Sequence, residues 1–595
     1  MSNFLEQYGK ALFTLVLVAI LIAFAGPLGL KIKNAVLEKT ATINELGNDE
    51  ITNSGTEIIQ STDSIYACLY TDGELILSSS EIIPEKTVDK NFGLVLLNEK
   101  NPPSWTSFSG DTKIKTVNFK DKIKLTTCYR MFYSCRNLKE IKNINNLDTS
   151  ACTNFYAMFN SCSNLKTLDL SSFNTSKVQN MSNMFAMCTN LTSLNLSNFD
   201  TIQCTSMLNM FMCCSNLTNL DLSSFNPRNV KEFNNMFLSC TKLTSLNLNK
   251  FNTISATNMA SMFGSCRDLK NLDLSAFNTE NVTNMSGMFS GCSSLKTLNI
   301  NNFKTSQVTN MNSMFYNCSS LLSLDVSSLD TSQVENMASM FSGCRGLSII
   351  KGLDSFNTSK VKDMSRMFSN NENYTGSGKL TNLAVSNWNT KNVVDMTCMF
   401  YGQGSQTELD IKNWDVSNCK SFNHMFTDNH SLKSLDLSKW NTVNVKTIYN
   451  IFDDCYSLKT IGDVSNWNTS NMVDIGGFIN GCTNFEGTNG KLDLSGWDTS
   501  NVLAMGEMFR GCKSLKEIDL SGFNTTAVID GAWNGAGSGI YYTYGNQESG
   551  YHSMSKMFMD CTNLKKVQVG IKWTTINKST WNMFDNCGVK AVTIS

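Results

Sequence analysis

The chain has 595 residues, with 49 Lys and Arg against 50 Asp and Glu, and only 17% of its residues are charged. A net charge near zero removes the electrostatic case for nucleic acid, which needs a basic face. Three His are few for a catalytic or metal-binding chain of this length, and neither a GxSxG elbow nor a clustered Ser/His/Asp set is present. The expectation is therefore a non-enzyme with no catalytic residues and no metal ligands.

In chain order, residues 11–30 (ALFTLVLVAILIAFAGPLGL) carry no charge and are long enough to cross one hydrocarbon core. Residues 1–33 read either as a transmembrane anchor, a hydrophobic N-terminal helix through which the chain meets the membrane, or as a signal peptide cleaved after Ala23-Phe24-Ala25. Lys31, Lys33 and Lys39 follow this segment and only Lys10 precedes it, which on charge alone favours a cytoplasmic C-terminal side. Residues 34–62 are polar and read as a stalk. Residues 63–130 are rich in strand signals, above all SIYACLYTDGELILSS, where alternating apolar residues flank Thr71-Asp72-Gly73 as in a β-hairpin.

From 131 to 595 one unit recurs, as in LKTLDLSSFNTSKVQNMSNMFAMCTN (165–190). The Met-Phe pair marks it at Met131, Met158, Met184, Met210 and onward, in most cases every 26 residues, for 17 units. A fixed period of this length means a solenoid. L-x-x-L-x-L has period two and reads as a short parallel strand. An Asn/Asp-Thr-Ser turn follows, as at Asn174-Thr175-Ser176. The remainder steps by three and four, so that Val178, Met181, Met184, Phe185, Cys188 and Leu191 share one face of a predicted short helix. The fold class expected is α/β: about 17 coils of strand plus short helix, behind a β-rich N-terminal cap.

The aromatic column Phe173, Phe199, Phe225, Phe251, Phe277, Phe303 changes to Trp at Trp388, Trp414, Trp440, Trp467 and Trp497. It reads as a buried spine rather than a carbohydrate-binding stripe. Of 21 Cys, 14 occupy the column that follows Met-Phe. Their side chains run parallel, which suits buried thiols rather than bridges. Of the vicinal pair Cys213-Cys214, one must face away from the core. Cys419, His424 and His430 have a spacing that suggests zinc, but their columns keep them apart.

The unit MFxxCxxLxxLDLSxFNTSxVxxM resembles the bacterial surface (BspA-like) leucine-rich repeat family over about 131–595. The resemblance implies an exported α/β leucine-rich solenoid that acts in binding or adhesion, and it outweighs the Lys31/Lys33 signal. Unlike ordinary leucine-rich repeats, Phe or Trp stands where the ladder Asn would be.

Two surfaces are candidate binding sites. The strand position between the two inward Leu points outward. It alternates Asn and Asp through the first coils, then carries Asp410, Asp436, Asp463, Asp493 and Asp519. Stacked carboxylates should raise some of their own pKa values, or attract calcium or a basic partner. Solvent screening and the nearby Lys412 and Lys491 oppose this. Apart from calcium at this stripe, no cofactor is expected. Insertions at Asn371–Lys379, Tyr401–Thr407 and Phe485–Gly490 should mark a working edge. The largest insertion, 531–552, carries Trp533, Tyr541, Tyr542 and Tyr544 as contact residues or as a fold-over that covers the core. The function expected is a cell-surface binding or adhesion protein, membrane-anchored or secreted, that presents its concave face to a protein or glycan. The alternative is a surface-layer or filament subunit with an N-terminal assembly helix.

Overall fold

The computed structural model describes residues 63–99, 102–106, 113–370, 378–529 and 553–594. The expected N-terminal hydrophobic helix, with the anchor or signal peptide at 11–30 and the stalk at 34–62, lies outside the described residues.

The first strands, β1 (Ser64–Tyr70) and β2 (Glu74–Ser78), form an antiparallel hairpin with Leu69 opposite Leu75. Gly73 closes the turn at φ 92°, a conformation that Gly adopts at no steric cost. Strand β3 (Val88–Leu96) flanks β1 on one side, while β4 (Thr116–Phe119) runs parallel to β2. After the short β5 (Ile123–Lys124), β6 (Glu140–Lys142) is parallel to β4, giving a sheet ordered β3-β1-β2-β4-β6. The register Leu75, Val117, Ile141 runs inward from strand to strand.

The coils continue this direction with three-residue parallel strands, such as Thr167–Asp169 against Ser193–Asn195 and Asn219–Asp221 against Ser245–Asn247. One core runs from Ile65 to Cys587. It contains every inward residue named in the unit: Val178, Met181, Met184, Phe185, Cys188 and Leu191 are all fully buried.

The short helix of each unit is not there. Among the described residues the helical elements are single 3-10 turns at Ile144–Asn146 and Leu353–Ser355. The segment read as helix instead alternates two kinds of hydrogen bond. The N–H groups of Met181, Asn183, Phe185 and Met187 donate to Ser206, Leu208, Met210 and Met212 of the next coil. Those of Met184, Ala186 and Cys188 donate three residues back, to Met181, Asn183 and Phe185.

The backbone reaches this pattern by a left-handed residue every fourth position: Asn183 at φ 58° and Met187 at 61°, Asn209 at 55° and Cys213 at 60°, Gly287 at 60° and Gly291 at 74°. An α-helix with side chains is about 10–12 Å wide, whereas hydrogen-bonded strands stack about 4.8 Å apart. Coils bonded to one another on both sides leave no room for it. The fold is a β-solenoid, and the apolar face survives because inward residues recur at the same three- and four-residue steps in either backbone.

Candidate functional site

Much of the chemistry in the sequence is consumed inside the stack. The column thiols donate to the carbonyl of the Met-Phe phenylalanine one coil back: Cys188 to Phe159 at 3.1 Å, Cys266 to Phe237 at 3.2 Å, Cys344 to Phe315 at 2.9 Å. Where the column loses its Cys, an amide replaces the thiol. Asn429 Nδ2 donates to Phe400 O at 2.8 Å, and Gln403 Nε2 donates to Phe368 O. Burial pushes the thiols of Cys188, Cys292 and Cys344 up to about 12, so they stay protonated and can donate. The cysteines are free thiols, and outside the column the Cys128 and Cys152 sulfurs lie 3.7 Å apart. Cys213 is half-buried while Cys214 is buried.

The Asn-Thr-Ser motif does two structural jobs. Thr175 Oγ1 donates to Asp200 O and accepts the Asp200 N–H, both at 2.8 Å, which ties adjacent coils. Asn174 Oδ1 accepts the N–H of Ser176 at 3.1 Å and so closes an Asx turn. The aromatic spine is buried: Phe199 stacks on Phe225 at 6.0 Å and Trp388 on Trp414 at 6.2 Å. Each Trp indole N–H meets a carbonyl of the preceding coil, as Trp388 to Leu353 at 2.9 Å and Trp497 to Val464 at 2.9 Å.

The acidic stripe lies at the surface, with Asp410 and Asp463 exposed and Asp436, Asp493 and Asp519 partly so. Its geometry explains the residue choice. In most coils from Asp169 to Asp519 the carboxylate at this position accepts the N–H two residues on, as in Asp169 with Ser171 at 2.9 Å and Asp463 with Ser465 at 3.0 Å. Asn does the same at Asn195 with Ser197. Asp436, Asp493 and Asp519 are lowered rather than raised. Hydrogen bonds from Lys412 and then Ser438 pull Asp436 down to about 2. Burial pushes Asp519 and Asp493 up, but hydrogen bonds from Lys491, Ser521 and Ser495 outweigh it and leave both below the usual range. The Lys491 ammonium lies 3.2 Å from Asp493 and 3.0 Å from Asp519.

Elsewhere, His424 Nδ1 lies 3.2 Å from Thr427 Oγ1, and His430 Nδ1 lies 2.9 Å from Asp454 O. Burial lowers His424 to about 4. Among the described residues no three His, Cys, Asp or Glu converge as a metal site. Burial, with Asp454 and Asp428 close by, raises Asp453 to about 8; no sequence signal marked it. In the insertion Tyr401–Thr407, Tyr401, Gln403 and Gln406 are buried while Thr407 is exposed. Trp533, Tyr541, Tyr542 and Tyr544 lie outside the described residues. No described helix is long and apolar enough to cross a membrane.

Two stacked parallel ladders closed around one apolar core define a leucine-rich-repeat β-solenoid. The chain belongs to the family described as Mycoplasma protein of unknown function, DUF285, whose model matches repeatedly and with overlap at 106–194, 126–246, 179–298, 232–349, 284–383, 375–491 and 459–532. Residues 501–595 match the BspA type leucine rich repeat region. No curated protein matches. Two crystal structures are similar. A leucine-rich repeat protein from Bacteroides ovatus has 16% identity over 80% of this chain and 94% of its own, at a TM-score of 0.30. A leucine rich cell surface protein from Faecalibacterium prausnitzii has 14% identity over 87% and 96%, at a TM-score of 0.25. The family matches, not these superpositions, place the chain.

Proposed function

We propose that this chain is a cell-surface binding protein, anchored or secreted through residues 11–30, that uses its outward columns to adhere to a protein or glycan partner. One observation supports the reading: thiols, threonine hydroxyls and indoles, the groups with chemical potential, are tied into inter-coil hydrogen bonds, while outward positions vary from coil to coil. Such a scaffold presents a surface rather than a reaction centre. The BspA type match at 501–595 fits export. Within this reading the strand face at Asp410–Asp519 and the segment 531–552, with Trp533, Tyr541, Tyr542 and Tyr544, form the contact region.

Protease shaving of intact cells tests the location. Repeat peptides released from outside support it, and repeats protected until lysis overturn it. Deleting 533–549 tests the contact region, where lost partner binding with an unchanged unfolding midpoint is the expected result.

A further inference from the structure

The residue after the inward Val forms its own ladder along one side of the stack. Glu335, Lys362, Val394, Lys420 and Lys446 follow in consecutive coils, each N–H donating to the carbonyl of the one before at 2.8–2.9 Å. Earlier in this column the residues are mostly neutral, such as Thr257, Thr283 and Thr309, and later they turn apolar at Val473 and Leu503. The basic run is thus confined to a few coils.

There the surface sinks into an open groove of about 650 Å³ lined by Glu335, Lys360, Lys362, Val394 and Lys420 with three asparagines. Lys391, whose carbonyl accepts from the groove residue Asn418, is exposed. Lys362 is paired with Glu335 at 2.8 Å, but no described carboxylate lies within ion-pair distance of Lys360, Lys391, Lys420 or Lys446. In a chain with net charge −1 this is a concentrated positive patch.

The asparagines stand in register. Asn392, Asn418 and Asn444 each donate Nδ2 to a main-chain carbonyl one coil back, Ser359, Lys391 and Ser417, at 2.7–2.8 Å. Those bonds fix the amides by Nδ2, and no described hydrogen bond occupies their Oδ1 atoms. The groove therefore offers Lys360 and Lys420 two coils apart, about 10 Å, beside a row of acceptors and the partly exposed apolar Val394 between them, with Lys446 one coil beyond Lys420. Ammonium groups suit carboxylates or sulfates, amide oxygens suit hydroxyls, and a valine suits the C–H face of a ring. No aromatic side chain lines the groove, so it lacks the stacking platform that single-stranded nucleic acid uses.

We infer that this lateral groove, a face separate from the strand face, binds an acidic polysaccharide lying across the coils. The inference rests on the binding role proposed above and names the ligand class and the face.

The test is binding of the full chain to immobilised polygalacturonate, with dextran as the neutral polymer and polyphosphate as a polyanion without rings. Salt-sensitive binding to polygalacturonate, absent on dextran and weaker on polyphosphate, is expected. Lys420→Glu with Lys446→Glu should weaken it at least tenfold. Lys177→Glu, an exposed lysine several coils away, should leave it unchanged. Unfolding midpoints of all variants should match, since each altered side chain is exposed. Equal binding by the double variant, no binding to polygalacturonate, or equal binding to polyphosphate overturns the inference. If shaving shows the repeats outside the cell and polygalacturonate is still not bound, the groove assignment fails and the surface role stands.

Discussion

The choice of Cys for the column that follows Met-Phe comes down to one buried acceptor. The Phe237 carbonyl already takes the Cys240 N–H at 3.1 Å, and the Cys266 thiol fills its second lone pair at 3.2 Å. Cys266→Ser keeps a donor of similar size and should be nearly neutral. Cys266→Ala removes it and should cost about 1 kcal/mol, read from the shift in urea midpoint. The same burial makes the fold sensitive to alkali. Cys188, Cys204, Cys292, Cys344 and Cys419 have their pKa values raised from 9.0 to about 12 by burial. Their protonated form is favoured in the folded chain, so this stability is whole below pH 9 and is lost as pH rises toward 12. Each thiol contributes a slope of about 1.4 kcal/mol per pH unit in that window, about 7 for the five together. Melting temperatures should hold between pH 7 and 8.5 and fall steeply at pH 9.5 and 10. A flat profile would contradict the thiol ladder. The acidic stripe behaves oppositely. Asp436, lowered to about 2 chiefly by the Lys412 hydrogen bond, contributes stability above pH 4 that is lost as pH falls toward 2. Since Lys491 already stands between Asp493 and Asp519, melting curves in calcium and in chelator should coincide for the parent and for Asp463→Asn.

At the scale of the element, the strand, the Thr turn and the inward columns were legible because burial imposes their period whatever the backbone does. The helix was misread for the same reason: residues stepping by three and four are buried in an α-helix and in alternating right- and left-handed turns alike. The evidence against a helix was nevertheless in the sequence. The positions before Met-Phe and before Cys hold Asn, Ser or Gly in most coils, four apart, where a helix would favour Ala, Leu or Glu. Those are residues that tolerate positive φ. The groove was not legible, because Glu335, Lys362, Val394 and Lys420 fall into one column only after the irregular spacing between Met367 and Met399 is resolved. Ser313, at φ 55°, separates the two backbones by experiment. In a helix Ser313→Ala would be the more stable variant and Ser313→Gly the less. In the left-handed position the order reverses, with Gly ahead of Ala by about 1 kcal/mol, measurable as a difference in denaturant midpoints.

For residues 63–594 as a whole, each coil bonds to the next through the left-handed turns, and also through the strands where these pair, so stability accumulates by neighbour. The bridges Asn258–Asn284 and Asn284–Asn310 show that positions 26 residues apart are equivalent. Removing 284–309 joins Thr283 to Asn310 and leaves every column in phase, with Phe263 over Phe315 and the Cys318 thiol reaching the Phe263 carbonyl in place of Cys292. The chain should fold, keep its circular dichroism per residue and lose only the stability of one coil. Removing 284–296, half a period, sets the strand of one coil against the left-handed turns of the next. It places Leu and Met columns against polar ones, and buried donors such as Thr279 Oγ1 and the column thiols lose their acceptors. Each stranded group costs about 1–3 kcal/mol, and the break should divide the stack into two separately unfolding parts with proteolysis at the junction. A half-period deletion as cooperative as the full-period one would show that the coils are not held by the column-specific bonds described above.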